Sequence, residues 1–128
     1  MQAAHPEKMI HMLPQRVLIV EDEYLVAMDV ETSLQSMGVQ TVEIVTTLSQ
    51  AQEALNRARP DCVLLDVSLS DGMSYELARH LKEHTIPFGF VSGYGDTSGF
   101  PEDFAETPLL DKPFGEPELK TFVMRLMA

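Results

Sequence analysis

The chain has little sulfur chemistry and little positive charge. Cys62 is its only cysteine, which excludes an intramolecular disulfide and any zinc site built on thiolates. It lies inside an apolar run and reads as a buried, inert thiol. Lys and Arg number 9 against 20 Asp and Glu, for a formal net charge of −11. Binding nucleic acid needs clustered cations to neutralise phosphates, so that class is set aside, and an anionic membrane surface is set aside with it. No stretch reaches the roughly 18 apolar residues of a membrane span. Met1 to Gln15 hold one lysine, Lys8, and no apolar core, so they do not read as a secretory signal. There is no Gly-x-x-x-x-Gly-Lys phosphate loop. A cytoplasmic protein is the expectation.

What is present is ordinary globular composition, 45% hydrophobic and 23% charged, in 128 residues, a length that suits one domain. Residues 1–15 mix His5, Pro6, His11 and Pro14 without periodicity and read as a flexible leader; residues 16–128 read as the domain. Arg16–Val20 is a continuous apolar run, the pattern of a strand buried on both faces. Val26, Val30, Leu34 and Met37 then recur at helical spacing, with Gly38 placed to end the helix. Thr41–Val45 reads as a second strand, Ala51 to Ala58 as a short helix stopped by Pro60, and Cys62–Asp66 as a third strand. Leu77, Ala78 and Leu81 mark a third helix ending before Pro87, and Phe88–Val91 a fourth strand. From Gly93 to Thr107 only a short helix near Glu102–Ala105 is encoded. Leu109–Asp111 is a short fifth strand. Leu119, Phe122, Val123 and Leu126 then share one face of a last helix that has Pro117 in its first turn. Strand and helix alternate five times with short connections, which predicts a doubly wound parallel α/β sheet. No repeat, linker or output module is visible.

Four of these strands end in groups that a phosphoryl site needs. Glu21, Asp22 and Glu23 follow the first strand, Asp66 closes the third, Ser92-Gly93 ends the fourth, and Lys112 follows the fifth. In the strand order 2-1-3-4-5 the first and third strands flank the topological switch point, and their ends converge on one edge. Carboxylates brought that close repel one another unless something compensates, and a hard cation such as Mg²⁺ does so with carboxylate, water and phosphate oxygens. Lys112 supplies a fixed positive charge for a transferring phosphoryl group. Ser92 can donate its hydroxyl hydrogen, and Gly93 lets the backbone approach and offer its N–H. Each piece alone has a bland reading: acids in a loop are often merely solvated, and a lysine after an apolar run is often just surface. The four together, in order, point to phosphoryl chemistry.

Residues 16–127 resemble the receiver domain of bacterial two-component response regulators. The resemblance implies a five-stranded flavodoxin-like fold, Asp66 as the phospho-accepting carboxylate, and Ser92 and Lys112 as its hydroxyl and lysine. It also implies a Mg²⁺ site formed by Glu21, Asp22, Asp66 and the backbone carbonyl of Ser68, and a cis Lys112–Pro113 peptide. The partners it implies are a sensor histidine kinase or histidine phosphotransfer protein, with a downstream protein partner. Pro87-Phe88-Gly89-Phe90-Val91-Ser92-Gly93-Tyr94-Gly95 is similar to the motif of the FAT GUY receivers, mostly single-domain regulators, and that likeness suggests stress signalling. Gly93 stands where the broader family has a small Ala. Leu109 stands where it has a switching Tyr or Phe, which leaves Tyr94 as the nearest substitute for a switch.

Two other classes stay open on the residues: a receiver-like binding module that works without phosphorylation, and a small phosphatase with an Asp nucleophile. Asp66-Val67-Ser68 lacks the second acid of an Asp-x-Asp phosphatase, and an acidic loop after the first strand would repel the phosphate of FMN. His80 and His84, four residues apart, have no acid or Cys partner encoded beside them and read as a solvated face. Asp71-Gly72 reads as a plain turn.

Overall fold

A computed structural model describes residues 13–93 and 98–128. Five main strands, β1 (Arg16–Val20), β2 (Thr41–Val45), β3 (Cys62–Asp66), β6 (Phe88–Ser92) and β7 (Leu109–Asp111), form one parallel sheet in the order β2-β1-β3-β6-β7. Counting only these strands, this is the order 2-1-3-4-5 expected from the sequence. Among the described residues four helices wind around the sheet: α1 (Tyr24–Met37), α2 (Leu48–Arg57), α3 (Tyr75–Glu83) and α4 (Glu116–Met127). A two-residue hairpin of β4 (Ser68–Leu69) and β5 (Gly72–Met73) follows Asp66 directly. Nothing in the sequence pattern announces it, because two residues are too few to carry a period.

The apolar runs of β1, β3 and β6 serve both faces of the sheet. Leu18 and Val20 point to one side, where α2, α3 and Phe104 cover them. Val17 and Ile19 point to the other, under α1 and α4. All five residues of β3 and all five of β6 are buried. The expected core faces of α2, α3 and α4 are the buried ones. In α1 the buried positions are Ala27, Val30 and Leu34, while Val26 and Met37 are half-buried. Between β6 and β7 the only helical piece described is a 3₁₀ turn over Glu102–Phe104. It sends Phe104 into an aromatic cluster with Tyr75, Phe88, Phe90 and Phe100.

Gly38 and Gly89 are required where they stand. Gly38 closes α1 with φ of 111°, a left-handed conformation in which its N–H reaches the carbonyls of Leu34 and Gln35. Gly89, in β6, lies so close to α4 that an added Cβ would overlap Phe122 Cζ and press on Leu126 Cδ2 at 3.0 Å. The Asp71-Gly72 turn does more than reverse the chain: Asp71 accepts hydrogen bonds from the first amide of α2, Leu48 N, at 3.0 and 3.1 Å. This caps a helix 23 residues away in sequence.

Residues 1–12, the bulk of the expected leader, lie outside the described residues, as do 94–97, which include Tyr94. Pro14 is buried, and Gln15 ties into the sheet, with its N–H donating to Asp61 Oδ2 and its carbonyl accepting from Thr41 N. Among the described residues no helix is long and apolar enough to cross a membrane.

Candidate functional site

Strand register places the acidic and basic groups. Val20 of β1 stands beside Leu65 of β3, so the next residues, Glu21 and Asp66, emerge side by side at the same edge. The Glu21 N–H donates to Val45 O at 3.0 Å, which holds the chain in line past the end of β1. On the other flank Asp66 is level with Val91, and Ser92 is level with Asp111. The amide of Lys112 donates to Ser92 O at 2.8 Å, and the Lys112–Pro113 peptide that follows is cis.

These elements bring Lys112 Nζ to 2.7 Å from Glu21 Oε1, 3.1 Å from Asp66 Oδ1 and 3.9 Å from Glu23 Oε1. Glu21 and Asp66 are buried, with 4% and 3% exposure, while Asp22 is exposed at the rim. A single ammonium thus faces Glu21, Glu23 and Asp66, with Asp22 alongside, and negative charge is left over. The acid–base chemistry follows from that imbalance. Burial pushes the Asp66 carboxyl up to about 8, and the adjacent Glu21 adds to the rise. Burial alone would also raise Glu21, but its hydrogen bond with Asp66 and the Lys112 ammonium hold it below the usual range. Asp22 is raised by partial burial and by Glu21. Burial would lower Lys112, yet its contacts with Glu21 and Asp66 outweigh that and raise it. Without a further cation, then, the site favours a shared proton held on Asp66 rather than on Glu21.

The residues suit a divalent oxygen-seeking ion. Glu21, Asp22 and Asp66 each offer a carboxylate oxygen, all within 4.8 Å of one another. Asp66 Oδ1 is buried and accepts no well-directed hydrogen bond, although Lys112 Nζ lies nearby. All-oxygen donors with excess negative charge match Mg²⁺, whose binding would displace the shared proton. Ser68, whose carbonyl the sequence adds to this set, lies in β4 two residues past Asp66, with its side chain exposed. Ser92 is buried at 1% exposure, and Gly93 beside it is half-buried.

Two residues of the site escape a sequence reading. Ser74 precedes α3 and looks like a helix cap, but its hydroxyl does not cap. It donates instead to Asp66 O at 2.5 Å and approaches Val67 O at 3.1 Å, clamping the backbone that carries the acceptor candidate. Asp111, in the sequence only the last residue of the fifth strand, accepts the Ser92 hydroxyl hydrogen bond at 3.0 Å. The residues set aside stay apart from the site. Cys62 is buried, its thiol pushed up by burial to about 12. His80 lies on α3 and His84 caps its end, with ring centroids 4.2 Å apart. Beside Lys112, a groove of about 250 Å³ opens between α1 and the 112–116 turn, floored by Val26, Val30, Phe114 and Leu119. The neighbouring rim of α1 exposes Tyr24, Leu25 and Met28.

Comparison with known proteins places this geometry. The response regulator receiver domain profile matches residues 17–124. PhyR, the phyllosphere-induced regulator of Methylorubrum extorquens, is 34% identical over 107 residues, covering 77% of this chain and 38% of PhyR. Sporulation initiation phosphotransferase F of Bacillus subtilis is 25% identical over 91% of this chain and 96% of its own. The solution structure of SdrG from Sphingomonas melonis superposes with a TM-score of 0.80 at 33% identity, over 91% of this chain and 98% of SdrG. The chain spans less than half of PhyR and of the KdpE regulator of Escherichia coli, at 38% and 47% of their lengths.

Proposed function

The chain belongs to the response regulator receiver domain family, and from that membership we propose that Asp66 is its phospho-acceptor. One carboxylate oxygen of Asp66 attacks the phosphorus of a phosphohistidine, on a sensor kinase or a phosphotransfer protein, or of a small acyl phosphate. A new O–P bond forms as the P–N or P–O bond of the donor breaks, and the bonding pair leaves with the donor. The observation that carries this reading is Asp66 Oδ1: buried, accepting no well-directed hydrogen bond, and 3.1 Å from the Lys112 ammonium. Lys112 neutralises a transferring phosphoryl oxygen, Ser92 and the Gly93 amide donate to the others, and Ser74 holds the Asp66 backbone still. Glu21, Asp22, Asp66 and the Ser68 carbonyl would hold Mg²⁺. When bound, it supplies the charge that keeps Asp66 ionised and gathers phosphoryl oxygens. The same groups assist later hydrolysis of the aspartyl phosphate.

The signal leaves by contact with another protein, or the domain drains phosphate from a shared kinase. The apolar rim of Tyr24, Leu25 and Met28, with Leu25 78% exposed next to the site, supports a protein partner on that flank. The 87–95 motif supports a place beside the FAT GUY receivers and in stress signalling. Incubation with acetyl phosphate and Mg²⁺ followed by intact-mass measurement tests the proposal. A single phosphoryl adduct that decays slowly is expected. No adduct would indicate a phosphorylation-independent binding module, and continuous phosphate release without adduct a phosphatase.

A further inference from the structure

The Ser92 hydroxyl is committed elsewhere. Ser92 ends β6, is buried, and donates its hydrogen bond to Asp111 Oδ1 at 3.0 Å. The pairing is built into the sheet. Ser92 and Asp111 occupy matching positions of the parallel β6–β7 ladder, so their side chains leave on the same face, and the Lys112 amide donating to Ser92 O locks that register at 2.8 Å. Asp111 itself is exposed, so its carboxylate has water available when the serine lets go.

A hydroxyl has one hydrogen to give and two lone pairs. While Asp111 holds the hydrogen, the rest of the Ser92 oxygen is an acceptor surface, which an anionic phosphoryl oxygen cannot use. From this geometry we infer that Asp111 is a positioning residue that withholds the Ser92 proton from the site and releases it only when a phosphoryl oxygen competes successfully. Asp111 thereby biases the domain toward its unphosphorylated form and sets how tightly a phosphoryl group, or a tetrahedral mimic of it, is held on Asp66. The inference rests on the proposed role of Asp66 and deepens it. It concerns the neighbour that governs the hydroxyl, not the hydroxyl itself.

Two effects of Asp111 have to be separated. Its charge repels any anion near the site whether or not Ser92 is present, whereas its hold on the hydroxyl acts only through Ser92. A double-mutant cycle makes the separation. Binding of beryllofluoride in the presence of Mg²⁺ is measured by calorimetry and fluorine NMR for wild type, Asp111→Ala, Asp111→Asn, Ser92→Ala and the Ser92→Ala/Asp111→Ala double variant.

Asp111→Ala is expected to tighten binding about threefold to tenfold, the net value of one competing hydrogen bond to a solvent-exposed acceptor. Asp111→Asn, which removes the charge but keeps an acceptor oxygen, should show a clearly smaller gain. In the Ser92→Ala background the Asp111→Ala gain should fall to the smaller part that comes from charge alone. The inference is overturned if Asp111→Ala binds like wild type or more weakly, if Asp111→Asn gains as much as Asp111→Ala, or if the Asp111→Ala gain is undiminished without Ser92. Absence of any beryllofluoride binding by wild type would instead overturn the Asp66 proposal, and this inference with it. Normal wild-type binding with no Asp111 effect overturns this inference alone.

Discussion

At the scale of single residues, the site is held under electrostatic tension that one substitution should relieve. The folded-state pKa of Asp66 lies near 8 against an ordinary value of 3.8, raised by burial and by Glu21. A carboxyl whose pKa is raised on folding binds its proton more tightly in the native state. The stability that proton contributes is full below about pH 3.8 and is lost as pH rises through about 8. Asparagine does not titrate and has no buried charge to accommodate. In the presence of a chelator, Asp66→Asn should therefore be more stable than wild type at pH 8.5, by roughly 2 kcal/mol or about 5–8 °C in Tm. The difference should shrink toward pH 4.5. Thermal denaturation across pH checks this, and a difference that stays flat with pH would mean that Asp66 is ionised throughout. Asp22 makes the complementary case. It is the exposed member of the acidic trio and is raised by partial burial and by Glu21. Asp22→Ala should weaken Mg²⁺ binding about tenfold or more by calorimetry, the usual scale for loss of a ligand or its close support. A wild-type titration would reduce the acid loop to a solvated surface.

At the scale of elements, what could be read from sequence depended on how much pattern each segment had room to carry. Val17–Val20, Val63–Leu65 and Phe88–Val91 are buried on both faces and stop abruptly at polar residues, so strand, sheet type and site edge were all legible in them. The β4–β5 hairpin was not, because four paired residues hold no period, and its one cue, Asp71-Gly72, reads as a turn whatever flanks it. Ser74 and Asp111 were missed for a different reason. Their partners, the Asp66 carbonyl and the Ser92 hydroxyl, lie 8 and 19 residues away, and only the fold brings them together. Gly89 shows the same dependence: as a glycine inside a strand it weakens the local pattern, and its purpose is visible only in α4 pressing against it. Gly89→Ala should cost about 1–3 kcal/mol by overpacking against Phe122 and Leu126, seen as a lowered urea midpoint with the m-value kept. Trimming Phe122 to Leu in the same chain should recover part of the loss. A neutral Gly89→Ala would mean that α4 shifts freely on the sheet.

At the scale of the whole molecule, the fold collects on one edge of the sheet what the sequence spreads over some ninety positions, Glu21 to Lys112. Two apolar layers hold the strands in register, and the register sets where each strand's polar end emerges. Four acids surround one lysine there, and that local excess of negative charge makes a cation welcome while the lysine receives a phosphoryl group. That account depends most on Asp66 being the atom of attack. Treatment with acetyl phosphate and Mg²⁺, reduction of the acyl phosphate with borohydride, and peptide mapping by mass spectrometry locates the adduct directly. Asp66 should be converted to homoserine in wild type, with no converted acid in Asp66→Asn. Conversion at Glu21, Asp22 or Glu23 instead, or an undiminished adduct in Asp66→Asn, would contradict it.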